Sequence, residues 1–302
     1  MDNLAHTLIG IGVARAGLSQ KYGKGTTLTV AIASNLPDVD ALYAIWDGWD
    51  RFLLRRTHTH AFVTLPVLAG LLTVVLWPRL RHIPWKALFG LSLLGLLLHD
   101  FFDVVNSFGV VLMWPFSRER FELASVFIID PTIWALTIGP MVAGRFLKSE
   151  GARSRAYRAS LAALGLYVAL CVGAHARAES MIRAVAVTPA AVKVFPEPLG
   201  PHRFRAAVLQ EGAWTIYLCN PLTGTLERKG VHPVDLGSPR VAEVRATPRG
   251  RALDAFMAAP VWTLEPGGAV TVYDLRFRSL RIPRGDPLRV TFPAGSVEGR
   301  VD

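Results

Sequence analysis

Ionisable side chains set inside apolar runs constrain this chain more than any other feature. Each costs about 2.5–3.5 kcal/mol at the centre of a membrane helix on insertion scales, so such groups face a cavity or one another rather than lipid. Six apolar runs are present, all within the first 180 residues: 4–18, 26–45, 61–77, 87–105, 123–147 and 160–174. Several approach the ~20 residues a spanning helix needs. The expectation is an α-helical integral membrane domain of about six helices over residues 1–180. Residues 2–20 lack a basic leading segment and contain His6, so they read as a helix rather than a secretory leader.

From about residue 181 the pattern changes. Pro and Gly punctuate short alternating runs at 203–209, 213–219, 240–246, 261–264, 269–276 and 288–292, which read as strands, with one short helix at 251–259 before Pro260. Residues 181–302 are therefore expected to form a small, mostly-β soluble domain.

Composition limits the function classes. Hydrophobic residues make up 51% and charged residues 19%, against about 25% charged in an average soluble domain, which excludes a disordered chain. The net charge of +10 is spread evenly. Residues 1–180 hold 17 basic and 12 acidic residues, and 181–302 hold 16 and 11. With no basic block or stripe, nucleic acid is not an expected partner. Cys171 and Cys219 fall in dissimilar contexts, so no disulfide is expected. Taking the loops alternately, Arg15, Lys21, Lys24, Arg79, Arg81, Lys86, Arg145, Lys148, Arg153, Arg155 and Arg158 lie on one side, and Arg51, Arg55, Arg56, Arg118 and Arg120 on the other. The positive-inside rule assigns the richer side to the cytoplasm. The N-terminus and the β domain then lie on the outer side of the membrane.

The polar intruders form groups: His6; Asp38 and Asp40; His58 and His60; His99, Asp100 and Asp103; and Asp130. His99 and Asp103 are four apart and share a helix face. Asp38 and Asp40 would diverge on a regular helix, but Pro37 breaks the ladder and allows both to turn the same way. On the expected topology every group falls in the outer leaflet. Imidazole nitrogens with carboxylate oxygens suit Zn²⁺, or Mn²⁺ or Fe²⁺, as one ion or two. The metal-ligating candidates are His6, Asp38, Asp40, His58, His60, His99 and Asp103, with Asp40 or Asp100 as general base. Plainer readings compete with these. His99–Asp103 can be a buried hydrogen bond, Asp38 and Asp40 a turn, and Asp130 a helix cap before Pro131. Arg55, Arg56, Arg118 and Arg120 read better as interfacial residues than as an anion site. His82, His175, His202 and His232 read as surface histidines.

The opening Met1-Asp2-Asn3-Leu4-Ala5-His6-Thr7, the Leu36-Pro37-Asp38-Val39-Asp40 box, the Arg56-Thr57-His58-Thr59-His60 box and His99-Asp100-Phe101-Phe102-Asp103 before Ser107-Phe108-Gly109 together resemble the YdjM-type bacterial inner-membrane proteins. Trp114-Pro115-Phe116-Ser117, Ile129-Asp130-Pro131 and, in the tail, Asp274-Leu275-Arg276-Phe277 resemble that family too. The resemblance implies a metal-dependent hydrolase with His6, Asp38, Asp40, His60, His99 and Asp103 as the metal-binding set. One box departs from the family's His-Arg-Gly-x-Thr-His: Arg55 stands at the first His and Thr57 at the Gly, which leaves open whether His58 substitutes.

The expected function is a membrane-bound hydrolase acting on a lipid or lipid-linked, phosphorylated substrate through a metal-activated water. The alternatives are a metal or proton transporter and a scaffold with a structural metal, the β domain docking a protein of unknown kind. A transport path needs polar residues on both sides of the midplane, and the cytoplasmic halves of the runs are nearly bare.

Overall fold

A computed structural model describes residues 1–42, 53–280 and 288–301. Arg51 and the end of the second apolar run, 43–45, lie outside the described residues. The chain divides into two compact units. Met1–Trp46 and Leu54–Val172 form the first, and the second is built on Gly173–Asp302.

The first unit is helical, but about six spanning helices is not what it contains. Among the described residues only Trp85–Val105 and Glu150–Val185 are long and apolar enough to cross a membrane. The other runs are cut short by identifiable residues. The first is helical over Asn3–Val13 and then continues as a wider π turn over Ala14–Leu18. The second is helical only over Thr26–Ala33 before Pro37, which offers no N–H, and becomes a 3₁₀ helix, Leu36–Ala41. The third yields the helix Leu65–Leu76, because Ala61–Thr64 is turned: the Thr64 hydroxyl donates to the His58 and Ala61 carbonyls. The fifth starts its helix at Pro131, capped by Asp130, and runs only to Ala143. Its first residues are extended instead, with bridges Asn106–Val126 and Val110–Phe121. Mean hydropathy recorded that these runs were apolar; it did not record where the backbone breaks. With two candidate spans, the alternation of loops behind the assignment of sides no longer exists.

Small residues bring the helices close. An added Cβ at Gly95, in Trp85–Val105, would lie 2.5 Å from Ala33 Cβ and 2.8 Å from the Val30 carbonyl. Trp85–Val105 therefore rests directly on the backbone of Thr26–Ala33. Around this contact Ala33, Leu65, Ala69, Leu72 and Leu96 form one apolar cluster.

The second unit is the mostly-β domain the tail suggested. Strands β1 (Ala191–Pro196), β2 (Phe204–Gln210), β3 (Ala213–Asn220) and β4 (Thr225–Pro233) form one antiparallel meander. A second is formed by β5 (Pro260–Leu264), β6 (Val270–Asp274), β7 (Val290–Phe292) and β8 (Arg300–Val301). The β2–β3 loop is the pair Glu211-Gly212, both at positive φ (52° and 74°), as the twist of a two-residue hairpin demands. Ala174, Ala178 and Ile182, from the end of Glu150–Val185, pack on Val194, Phe204, Ala206 and Val208. The run 240–246, expected as a strand, is instead the helix Pro239–Ala246: Ser238 caps it and Pro239 occupies its first turn. Pro248–Phe256 matches the expected short helix. Cys171 and Cys219 are both free.

Candidate metal centre

Pro37 is the starting point of the site. In a continuing helix the Ser34 carbonyl would accept from residue 38, or in a tighter turn from residue 37. The Asp38 N–H goes to the Asn35 carbonyl instead, and Pro37 has no N–H to give. The freed Ser34 carbonyl accepts from His99 Nδ1 at 2.8 Å, through the close approach that Gly95 permits. Because a carbonyl only accepts, the proton of neutral His99 sits on Nδ1. Its Nε2 is a bare lone pair.

His60 is fixed in the same way from another direction. The Thr59 hydroxyl donates to Asp40 Oδ2 (3.2 Å) and so must accept from His60 Nδ1 (3.0 Å). Asp40 Oδ2 lies 3.6 Å from that nitrogen and also accepts the Arg56 backbone N–H at 2.6 Å. Burial holds the His60 imidazole below its ordinary pKa, in the neutral form. Its Nε2 is also bare, and it faces His99 Nε2 at 3.1 Å. The two Nε2 atoms are thus directed at one point.

Carboxylates complete the group. Asp103 Oδ2 lies 3.4 Å from His99 Nε2 and 3.6 Å from His60 Nε2. One ligand atom from each of Asp38, His60, His99 and Asp103 lies within 4.8 Å of the others, and all four residues are buried. Four buried acceptors converge on one point, with His60 and His99 completely enclosed. Such a donor set can hold a divalent cation.

The remaining candidates divide. His6 donates from Nε2 to Asp103 Oδ1 at 3.2 Å and stacks on His99 with ring centroids 3.9 Å apart. It orients a ligand from behind, as does Asp40 on the other side. The Met1 amino group also contacts Asp103 Oδ1. His58 is elsewhere: its ring sits edge-on to Trp114 at 4.9 Å, and it is not one of the four converging donors. Arg55 occupies the position the departure left open, reaching Asp38 Oδ1 at 3.0 Å and Asp40 Oδ1 at 3.5 Å. Pro37 does not turn the two aspartates together. Asp38 joins the donors, while Asp40 stands on the far side of the His60 ring. Asp130 takes the plainer reading, accepting the Thr132 N–H and the Tyr167 hydroxyl. Asp100 is 3% exposed, yet neither of its oxygens has a hydrogen-bond partner.

Sequence reasoning undervalued Arg56. It is 4% exposed, with Nε 2.8 Å from Asp103 Oδ2 and Nη1 donating to Asn106 Oδ1. Its guanidinium lies over the Phe108 ring, 4.5 Å from the centroid. Its φ of 56° turns the backbone so that its N–H meets Asp40 while its side chain meets Asp103. Its place inside the histidine box was the available signal.

A family model described as YdjM inner membrane protein matches residues 1–178. The match takes in every donor named above and stops before the β strands, so the tail's Asp274-Leu275-Arg276-Phe277 lies outside it. No curated protein and no solved structure matches the chain.

Proposed function

The chain belongs to the YdjM inner membrane protein family, and from that premise we propose that it is a membrane-bound, metal-dependent hydrolase. Its substrate in this reading is a lipid or lipid-linked compound with an ester or phosphoester bond. One observation carries the proposal: two histidine Nε2 atoms, each with its Nδ1 already engaged, meet at 3.1 Å beside two carboxylates. Zn²⁺ suits a set of two imidazoles and two carboxylates, with Mn²⁺ or Fe²⁺ as alternatives. When bound, such an ion supplies Lewis acidity that polarises the scissile group and lowers the pKa of water towards ~7.

The protein's own residues supply the rest. Asp40, through Thr59, keeps His60 in the tautomer that offers Nε2. The Ser34 carbonyl does the same for His99. His6 and Arg56 hold opposite oxygens of Asp103. Asp100, buried without a partner one residue from His99, holds the proton that it gives to the leaving group. A lipid substrate follows from the membrane setting of the family.

A second reading has one observation in its favour. All four donors are buried, and a closed, fully protein-ligated ion is the mark of a structural site. A scaffold would then hold the ion without turnover. The two readings separate in one experiment. Purified full-length protein is analysed for metal and then incubated with a membrane-lipid extract, with Asp103→Ala and Asp100→Asn in parallel. A hydrolase releases product. Asp103→Ala loses both ion and turnover, and Asp100→Asn keeps the ion while turnover falls about 10²–10⁴-fold. Stoichiometric ion without turnover on any lipid establishes the scaffold. Metal-free wild type, purified without chelators, ends both readings.

A further inference from the structure

A cavity of about 840 Å³ opens in the first unit away from the metal donors, none of which lines it. Its walls come from the end of the first helical stretch, the end of Pro131–Ala143 and the start of Glu150–Val185. Three arginines, Arg15, Arg145 and Arg153, share it with an apolar side formed by Leu8, Ile138 and Met141. Counting nine residues along the helix from His6 to Arg15, its basic wall lies roughly 13 Å along the axis from the histidine that backs Asp103.

The charges in the cavity do not cancel. Glu150 is the one acidic residue lining it. None of the three arginines forms an ion pair with a carboxylate among the described residues. Arg15 donates from Nη1 to the Tyr157 hydroxyl at 3.1 Å, and Arg153 donates from Nε to the Leu147 carbonyl at 3.0 Å. Those bonds aim two guanidinium groups and leave most of their N–H donors unused. Guanidinium forks match phosphate oxygens two at a time, and all three arginines are exposed and open to a ligand. The volume falls in the range of small-molecule sites, about 300–1,000 Å³, and is far more than a bare oxyanion fills. The apolar side suits a hydrocarbon chain.

We propose that this cavity binds one phosphate-headed amphiphile, an anionic phospholipid, with its phosphate on Arg15, Arg145 and Arg153 and the start of its acyl chain on Leu8, Ile138 and Met141. The site is separate from the metal centre and does not depend on the hydrolase reading. It holds a lipid as a bound partner, not as the compound turned over. Arg145 and Arg153 also belonged to the basic loops that charge counting grouped with Arg15; the fold gathers them into one concavity.

Native mass spectrometry of the full-length protein in a neutral detergent tests this, with phosphatidylglycerol, phosphatidylcholine, glycerol 3-phosphate and inorganic phosphate as probes. Wild type should retain one phosphatidylglycerol per chain, in preference to phosphatidylcholine. The Arg15→Gln and Arg145→Gln variants should each weaken retention about tenfold, the effect of one charge-assisted hydrogen bond. Glu150→Gln should strengthen it. Met141→Trp, which crowds the apolar side without altering charge, should weaken it at least tenfold. Arg155→Gln, a basic residue outside the lining, should do nothing. A circular-dichroism spectrum and melting temperature equal to those of wild type in each variant show that the fold survives. Unchanged retention in Met141→Trp, or an Arg155→Gln effect as large as that of Arg145→Gln, would mean diffuse attraction to anionic surfaces and overturn the site. Inorganic phosphate or glycerol 3-phosphate displacing the lipid at equal concentration would overturn the lipid as occupant.

Discussion

Both units bury carboxylates, and the way each is answered distinguishes them. In the β unit, Asp274 is saturated. Its Oδ1 accepts the backbone N–H groups of Ala259 and Arg276, and its Oδ2 accepts that of Ala258 and pairs with Arg276 Nη2 at 3.0 Å. Glu197 accepts from Ser279 and Leu280 and pairs with buried Arg205. In the helical unit, Asp100 has no hydrogen-bond partner and the two histidine Nε2 atoms face each other. Buried polarity that is answered donor for acceptor ties loops to sheets. Buried polarity in which two imidazole Nε2 atoms face each other beside two carboxylates is a place that can hold a cation.

The largest effect expected from this contrast is at His99. Elemental analysis should find at least one divalent ion per wild-type chain and none in His99→Ala. An ion bound to the folded chain alone, at about a thousand times its Kd, adds about 4 kcal/mol of stability. Chelation should therefore lower the melting temperature of wild type and leave that of His99→Ala unmoved. Asp274→Ala sharpens the contrast from the other side. Removing one partner of a buried, hydrogen-bonded pair costs about 3–5 kcal/mol. Its unfolding midpoint in denaturant should fall accordingly, with metal content unchanged; loss of the ion would show that the two kinds of buried charge are not independent. Asp40→Asn should keep the ion but bind it about 10–100-fold more weakly, the usual cost of disturbing a residue that orients a ligand. Competition with a fluorescent chelator measures this. His58→Ala should change neither affinity nor stoichiometry, and a tenfold loss would return His58 to the donor set.

The four converging residues Asp38, His60, His99 and Asp103 were among the candidates the sequence offered because their chemistry is local. His99 and Asp103 stand four apart on a long uninterrupted helix, and histidines and aspartates in otherwise apolar runs point to a partner. Which box members converge and which stand behind them was not legible. Asp38 and Asp40 separate because a 3₁₀ turn projects residues i and i+2 in different directions, and Arg55 takes up the space between them. The count of spans failed for a related reason. Apolar content is additive along a chain, whereas a helix ends at single residues: Pro37 in the second run, Thr64 in the third, Asp130 with Pro131 in the fifth. In the tail, alternation found β2, β3, β5, β6 and β7. It missed β1, the two-residue β8, and β4, whose polar, exposed sequence Thr225–Pro233 shows no buried face; the run 240–246 is the helix Pro239–Ala246 because Ser238-Pro239 is a helix start.

Pro37 reaches further than the helix it ends. Any other residue at that position would carry a backbone N–H within reach of the Ser34 carbonyl and compete with His99 for it. The imidazole, released from that anchor, could then move its proton to Nε2 and present a hydrogen where a lone pair is needed. An amide hydrogen that the chain does not possess, on the far edge of the ring, thus sets which nitrogen of His99 is available for coordination.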